Sequence, residues 1–261
     1  EASPFGNRVI TVLSAKGGSG KTVVATNLAL GLNAHSPGNV VIVDLDIQFG
    51  DCASTMNLEP EQTLADAALN ASVLDATTLK VFLTPHPSGL FLLGPPQSLV
   101  DAAEVTTEQV KSILDLLVGI FEYVVVDTSS GIDDHAITAM EFSTDLLLVA
   151  SSEVPSVRAM RRQVSTLDTI GMTHQKRHFA VNRARTRVGL RTEDIEETVG
   201  LTASVEIPSS RQVVLSTNQG MPIVMSAPKD PAARAMQEII DLFLDKEPDA
   251  PRVKRGRKGK R

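Results

Sequence analysis

The chain has 261 residues, enough for one large domain or two small ones. Hydrophobic residues make up 42% of it and aromatic residues only 3%, so the core must be mainly aliphatic. The single cysteine, Cys52, excludes an intrachain disulfide and a cysteine-ligated cluster within one chain, and it favours a reducing compartment. No stretch approaches the ~18 apolar residues that a transmembrane helix needs, and no signal peptide is visible. We therefore expect a cytoplasmic protein.

The net charge of -6 is distributed unevenly. Seven of the 25 basic residues lie in Arg252–Arg261, which leaves 18 basic residues against 31 acids, a net of -13, on the rest of the chain. We expect residues 248–261 to be a disordered tail that could contact an anionic membrane, DNA or an acidic partner. Residues 1–7 are polar and lack an initial methionine, so we expect them to be a linker or the remnant of a longer chain.

The stretch Val9–Thr22 predicts a strand, a glycine-rich loop and the start of a helix. Val9–Leu13 is apolar and β-branched, as in a buried strand, and a helical pattern follows over Val23–Asn33. The loop has glycines at positions 17, 18 and 20. Loop N–H groups and the helix dipole form an anion cradle in this arrangement, and in a P-loop the lysine contacts phosphates while the hydroxyl ligates Mg²⁺. The alternative is a glycine-rich turn with a chance Gly-Lys-Thr.

The strict P-loop begins with a glycine where this chain has Ala15, and here the loop contains a second lysine, Lys16. The stretch Lys16–Thr22 resembles the deviant Walker A loop of the MinD/ParA family of ATPases. That resemblance implies that Lys16 reaches across a dimer interface to the partner's nucleotide and that Lys21 and Thr22 hold phosphate and Mg²⁺. It implies the following ATP contacts in the loop: Lys16, Gly17, Gly18, Ser19, Gly20, Lys21, Thr22 and Val23.

Val40–Val43 predicts a second buried strand, which ends in Asp44-Leu-Asp46. Carboxylates at the carboxyl end of such a strand lie where α/β sheets bind ligands, although a strand end with solvated acids is the alternative. The stretch Asp44–Asp51 resembles the family's switch I. By that resemblance Asp46 orients the attacking water and Asp44 lies in the second shell of Mg²⁺, whereas we expect Asp51 to be a turn or cap residue.

Residues 63–100 are less regular, with short helices predicted over Thr63–Leu69 and Asp75–Leu79 and a strand over Leu90–Leu93. The stretch Leu83–Leu90, followed by Leu92–Pro96, resembles the CpaE/TadZ branch of the family, the ATPases of Flp (Tad) pilus assembly. The form of the Asp44–Asp51 motif and the Pro155–Arg162 helix opening are similar to the same branch.

A helix predicted over Thr106–Phe121 leads to a third strand, Tyr123–Val126, and then to Asp127. Four apolar residues followed by Asp is the Walker B pattern, in which the carboxylate holds Mg²⁺ through water. Gly131 would let the backbone approach the γ-phosphate. The family usually has proline at the position of Ser129, so the stiffness of this loop is an open question.

The second half of the chain predicts strands over Asp145–Ala150, Arg177–Asn182 and Val205–Ile207. Asn182 resembles the family's base-contacting asparagine, with Arg183 beside it, and Pro208 is implied to lie against the adenine ring. Helices are predicted over Pro155–Ile170, Arg211–Thr217 and Pro231–Asp245; we expect the last to cover the sheet rather than bind a membrane.

Basic side chains of the second half have two interpretations. Arg158, Arg161 and Arg162 could bind DNA without sequence preference, as in ParA-type relatives, but we favour a solvated basic face or a partner contact. The loop arginines 183, 185, 187 and 191 are also expected to be solvated. His174 and His178, four residues apart, lack a third ligand nearby in sequence, so we expect no metal there.

Alternating strands and helices predict one domain over residues 1–247 with a doubly wound, mostly parallel sheet and helices on both faces. The resemblance implies an ATPase that uses ATP and Mg²⁺, hydrolyses slowly, dimerises in the ATP state and positions a cell-envelope assembly, Flp/Tad pilus or secretion machinery, at the inner membrane or cell pole. A ParA-type DNA-partition ATPase is the alternative. A tyrosine kinase of the same family is disfavoured because Tyr123 is the single tyrosine, and a nitrogenase-like reductase is disfavoured by the single cysteine.

Overall fold

The computed structural model describes residues 7–184 and 189–244. The start segment predicted over residues 1–7 therefore lies outside the described residues except for Asn7, whose side-chain amide donates to the Val118 carbonyl. The basic tail over 248–261 and the loop arginines 185 and 187 also lie outside them.

An eight-stranded sheet forms the centre of the described chain, in the order β3-β4-β2-β5-β1-β6-β7-β8. Every neighbouring pair is parallel except β3 with β4, which is antiparallel. The strands are β1 (Arg8–Ser14), β2 (Val40–Leu45), β3 (Thr84–Pro85), β4 (Phe91–Leu93), β5 (Tyr123–Ser130), β6 (Asp145–Ser151), β7 (Lys176–Ala184) and β8 (Val205–Pro208). The predicted doubly wound, mostly parallel sheet is confirmed.

Eleven α-helices connect and cover the strands in the described ranges. They are α1 (Lys21–His35), α2 (Cys52–Thr55), α3 (Leu64–Leu69), α4 (Leu99–Glu104), α5 (Thr107–Ile120), α6 (Asp134–Phe142), α7 (Val154–Thr169), α8 (Thr192–Val199), α9 (Arg211–Asn218), α10 (Ile223–Ser226) and α11 (Pro231–Asp241). A tight turn cannot join two parallel strands, so the connection is a crossover, usually a helix. The crossover helices place apolar side chains on both faces of the sheet.

The core follows from the apolar runs in the central strands, which are buried on both faces. One cluster joins α1, α2, α10 and α11 to one face. The other face is covered by α3 and α5 beside β2 and β4 and by α6, α7 and α8 beside β6 and β7. Close packing extends to the backbone of α1, because a Cβ at Gly31 would lie 2.0 Å from Cδ1 of Ile240 on α11.

The prediction of a helix over Asp75–Leu79 is wrong. The Asp75 carboxylate accepts hydrogen bonds from the N–H groups of Thr77 and Thr78, and a 3-10 helix, Leu79–Phe82, follows. A short side chain that bonds nearby backbone groups competes with an α-helix in this way. The final helix covers the sheet as predicted but ends at Asp241 instead of Asp245.

Short elements account for the remaining differences. The sequence patterns did not predict β3 or the helices α2, α4, α6, α8 and α10.

Among residues 7–184 and 189–244, no helix is both long enough and apolar enough to cross a membrane.

Candidate functional site

The predicted site residues meet at one edge of the sheet, where the parallel strands β1, β2, β5 and β7 end. Register pairs Asp44 of β2 with Asp127 of β5, and Val12 of β1 also pairs with Asp127. The carboxyl ends of parallel strands with a crossover helix form the usual ligand crevice of an open α/β sheet. The glycine loop follows β1 directly, so it lies over these carboxylates.

Three side chains form the centre of the site. Lys21 Nζ lies 2.7 Å from Asp127 Oδ1, and the Thr22 hydroxyl donates to Asp127 Oδ2 at 2.7 Å. Lys21 and Asp127 are both buried, at 6% and 0% exposure of the side chain. The sequence predicted these three residues, and the structure brings them into direct contact.

The loop backbone before α1 is shaped for close approach of a ligand. Gly18 and Gly20 have φ of 77° and 90°, in the left-handed region that favours glycine. The first helical hydrogen bond joins the Val24 N–H to the Gly20 carbonyl, so the helix leaves the N–H groups of its first turn for other acceptors. The Ser19 hydroxyl is buried and makes no hydrogen bond within the described part of the chain.

Asp44 is fully buried beside Asp127, its register partner on the neighbouring strand, and it organises the following loop. Its two oxygens accept the N–H groups of Asp46 at 3.1 Å and Cys52 at 3.0 Å. Burial, reinforced by the negative charge of Asp127, raises the pKa of Asp44 from 3.8 to about 7. A Cβ at Gly50 would lie 2.5 Å from both carboxylate oxygens of Asp44, so only glycine fits there without a shift.

Cys52 contributes a thiol to the same cluster. Its Sγ lies 3.6 Å from Asp127 Oδ2, and burial raises its pKa well above 9.0. A ligand atom from each of Asp44, Cys52 and Asp127 lies within 4.8 Å of the others. Sequence patterns did not indicate Cys52 as a member of this cluster, because it follows the acidic motif on a helix of only four residues.

Asp46 lies at the rim of the site and is half-buried. Its Oδ1 accepts the Phe49 N–H at 3.3 Å, and partial burial raises its pKa. Together with Ser130 and Asp133 it borders an open cavity of about 550 Å³. Asp46 therefore faces an open space that it shares with the loop after β5, unlike the enclosed Asp44.

The loop after β5 is anchored although it lacks the proline typical of the resembled family. The Ser129 hydroxyl donates to Asp133 Oδ2 at 2.6 Å, and Asp133 also caps α6 through the Ala136 N–H. The Gly131 N–H donates to the Ser14 carbonyl at 2.8 Å, and the Gln163 amide of α7 donates to the Gly131 carbonyl at 3.1 Å. Side-chain and backbone hydrogen bonds therefore contact this loop at Ser129 and Gly131, where the resembled family has a proline nearby.

Asn182 connects the end of β7 to the glycine loop. Its Nδ2 donates to the Ser19 carbonyl at 2.8 Å, and its Oδ1 accepts the Arg183 N–H at 2.8 Å. A Cβ at Gly20 would lie 2.2 Å from this Nδ2. The amide thus keeps one N–H and one acceptor lone pair for another partner.

A cavity of about 230 Å³ lies beside Asn182. Its walls are mostly apolar, and the members predicted from the sequence are Gly20, Val23, Asn182, Arg183 and Pro208. The residues that the sequence did not indicate come from α9, the two serines before it and α11; they are Ser209, Ser210, Val213, Val214, Thr217, Asn218 and Met236. The helical pattern after Pro208 was the available signal, because a helix that follows a strand end must pass this edge.

Two basic residues of the predicted site are exposed. Lys16 is exposed on the loop, and the Ser14 hydroxyl donates to its backbone carbonyl at 3.3 Å. Arg183 has φ of 53° and lies 3.9 Å from Glu153 Oε1 in an exposed ion pair. His178 contacts Asp145 Oδ1 at 2.9 Å.

Comparisons with known proteins agree with this geometry. The family model for ParA, described as an NUBPL iron-transfer P-loop NTPase, matches residues 6–244. The septum site-determining protein MinD of Escherichia coli strain K12 is 27% identical over 252 residues, covering 92% of this chain and 92% of that protein. MinD of Thermotoga maritima is 27% identical over 227 residues, covering 84% of this chain and 81% of that protein.

Solved structures show the same fold. The ParA family ATPase of Chlorobium tepidum superposes with a TM-score of 0.84 at 24% identity, covering 90% of this chain and 97% of that chain. MinD of Pyrococcus horikoshii, complexed with Mg-ADP, superposes with a TM-score of 0.79 at 20% identity, covering 90% of this chain and 95% of that chain. The family model spans nearly all described residues, and the glycine loop over Lys16–Thr22 lies at the centre of the site. The chain therefore belongs to the ParA family of P-loop NTPases.

Proposed function

We propose that this protein is an ATP-binding, slowly hydrolysing switch that dimerises in the ATP state and positions a cell-envelope assembly of the Flp/Tad pilus type. The observation on which this rests most directly is the convergence of Lys21, Thr22 and Asp127 beneath a left-handed glycine loop.

The loop fits a triphosphate. Ser19 has a buried hydroxyl without a protein partner, and the first turn of α1 leaves backbone N–H groups directed at the same space. Lys21 would exchange part of its contact with Asp127 for the β- and γ-phosphates. The apolar cavity beside Asn182 suits a flat base, and the free donor and acceptor of the Asn182 amide match the edge of adenine.

The oxygen donors beside Lys21 fit a magnesium ion. The Thr22 hydroxyl and the Asp127 carboxylate are hard ligands, and they already converge within 2.7 Å of each other. Bound Mg²⁺ would supply charge neutralisation for the phosphates. Asp44 has both oxygens bonded to backbone N–H groups, so it would act from the second shell by holding the loop that ends at Cys52.

Asp46 is suited to orient the attacking water. It is half-buried, opens to the cavity that the loop after β5 also borders, and keeps a carboxylate oxygen that no backbone group engages in the described residues. Partial burial raises its pKa, which makes it a better proton acceptor than an ordinary aspartate. Gly131, held by Ser14 and Gln163, would place its backbone beside the γ-phosphate.

Lys16 supports a role across a dimer interface. Its side chain is exposed and makes no ion pair within residues 7–184 and 189–244, whereas Lys21 is buried against Asp127. A lysine supplied by a second copy would stabilise charge that develops at the phosphates. Turnover of one isolated copy would then be slow.

Light scattering tests this scheme with no nucleotide, with ADP and with ATP. We expect the mass to double only with ATP, and Asp46→Ala to stay dimeric because hydrolysis no longer reverses the association. Lys16→Ala should bind ATP as a monomer. A constant mass in every nucleotide state would refute the switch and favour a constitutive binding role.

The pilus assignment rests on the sequence resemblance of Leu83–Pro96 and Asp44–Asp51 to the CpaE/TadZ branch. Its test is genetic. In a bacterium that assembles Flp pili and lacks its own copy of this gene, the wild-type chain should restore pili and a polar or inner-membrane position, while Asp46→Ala should not. Full piliation without the gene would exclude this role.

A ParA-type DNA-partition role is the second candidate, because Arg158, Arg161 and Arg162 are exposed on α7. It predicts that DNA retains the protein only with ATP, that retention falls steeply with salt, and that alanine at these three positions abolishes it. The iron transfer named in the family description has less support, because the only cysteine of the chain is buried beside Asp127.

A further inference from the structure

We propose that the groove between α3 and α4 binds a basic amphipathic segment of a partner protein. The groove is a cavity of about 220 Å³ that contains none of the residues of the nucleotide site. We call it the α3–α4 groove and define it by Glu61, Asp66, Leu69, Asp101, Glu104 and Val105. This surface goes beyond the proposed switch and does not depend on it.

The charge of the groove has one sign. All four of its ionisable side chains are acids. Asp66 and Asp101 also cap the helices α3 and α4 through Thr63 and Ser98. Glu61 and Glu104 are exposed and make no ion pair in the described ranges, so their charges are available to a cationic partner.

One exposed apolar side chain, Leu69, lines the groove, and two more precede Asp101 in the sequence. Leu69 at the end of α3 is 74% exposed, and Leu99 and Val100, the first two residues of α4, are 60% and 74% exposed. Within α4 only Ala102 is buried. These two side chains contribute little burial to this short helix, and a partner that covered them would gain their hydrophobic free energy.

The surrounding segment has the same character. Residues 57–110 contain seven acids and a single basic residue, Lys80. Five of the twelve large hydrophobic residues that are exposed in the described chain fall within it. A partner that buries the apolar side chains and neutralises the acids must combine basic and apolar residues in one segment, which is the pattern of a basic amphipathic helix.

The protein's own basic tail is a poorer occupant. Arg252–Arg261 has one apolar residue of any size, Val253. The tail could therefore neutralise the acids of the groove but could not bury the exposed side chain of Leu69. A separate partner therefore suits the groove better.

The test measures binding of a fluorescein-labelled Leu–Lys peptide of about four helical turns, with Lys on one face, against a scrambled peptide of equal composition. We expect wild-type protein to prefer the amphipathic peptide by about tenfold. Glu61→Gln with Glu104→Gln should weaken that binding by about tenfold, and Leu69→Ser, at the exposed leucine that lines the groove, by a similar factor. The matched control is Glu193→Gln with Glu197→Gln, which removes two exposed acids from α8.

Three outcomes would overturn the proposal. They are equal weakening by the α8 control, equal affinity for the scrambled peptide, and a tenfold gain in affinity when the basic residues of Arg252–Arg261 are neutralised in the full chain, which would make the tail the occupant. Binding is measured with and without Mg-ATP and should not change. The result is thus separate from the dimerisation assay, and either can fail without the other.

Discussion

Lys21 Nζ and Asp127 Oδ1 lie 2.7 Å apart in a part of the site where both side chains are buried. Asp127 is fully enclosed, and Thr22 and Cys52 occupy its second oxygen. Removal of the lysine would therefore leave a buried carboxylate charge without its counter-ion.

We predict that Lys21→Ala lowers the free energy of unfolding by about 3–5 kcal/mol without nucleotide, because removing the lysine leaves the buried charge of Asp127 uncompensated. Urea unfolding followed by circular dichroism measures the effect. Lys16→Ala is the matched control, since it deletes an exposed lysine of the same loop; its effect should stay within about 0.5 kcal/mol. Equal effects of the two variants would contradict the prediction.

The raised pKa of Asp44 makes the free energy of unfolding depend on pH in a specific way. Its native pKa of about 7 lies above its ordinary value of 3.8. Between about pH 4 and pH 7 the native state therefore holds a proton that the unfolded chain has released, so the contribution of Asp44 to stability falls as pH rises through this window and is lost above it.

The variant Asp44→Asn cannot titrate, so we expect the unfolding free energy of wild type minus variant to fall by on the order of 2 kcal/mol from about pH 5 to about pH 8. Urea titrations in EDTA at a series of pH values measure this difference. Parallel pH profiles for the two proteins would show that Asp44 titrates at its ordinary value in the native state.

Two helical glycines should respond to alanine in opposite directions. A Cβ at Gly31 of α1 would lie 2.0 Å from Ile240 Cδ1, whereas a Cβ at Gly119 of α5 would have no heavy atom within 4 Å. Gly31→Ala should destabilise by about 1–3 kcal/mol through overpacking. Gly119→Ala should stabilise by up to about 1 kcal/mol through helix propensity. Thermal unfolding of both variants gives the signs directly, and two changes of the same sign would contradict the packing argument.

Asn182 should affect phosphate binding as well as base recognition, because its amide holds the Ser19 carbonyl. We predict that Asn182→Ala lowers the affinity for ATP and for tripolyphosphate, each by about tenfold, since the unpaired carbonyl frees the loop. Isothermal titration with both ligands measures this. A loss for ATP alone would mean that Asn182 contacts the base but does not position the loop.

The sequence predicted the centre of the site because its signals are local. The loop pattern places Lys21 and Thr22 at the start of α1, and four apolar residues before Asp127 place that carboxylate at a strand end. Parallel strand ends share one edge of a sheet, so their meeting needed no further information.

The contacts that the sequence did not predict join distant or irregular segments. Asn182 and Ser19 are 163 residues apart, and neither residue type specifies the other as partner. Cys52 enters the cluster through a four-residue helix too short to give a periodic pattern. The helix expected over Asp75–Leu79 failed for a related reason, because the Asp75 carboxylate satisfies nearby N–H groups without a helix.

Cys52 has an experimental consequence. It is the single thiol of the chain, it is fully buried, and its raised pKa keeps it protonated at neutral pH. An alkylating reagent can react only when α2 separates from Asp44 and Asp127. The rate of thiol labelling in the unmodified protein is therefore a direct measure of how often the segment after Asp46 opens, and it can be followed by mass spectrometry in each nucleotide state without introducing a probe.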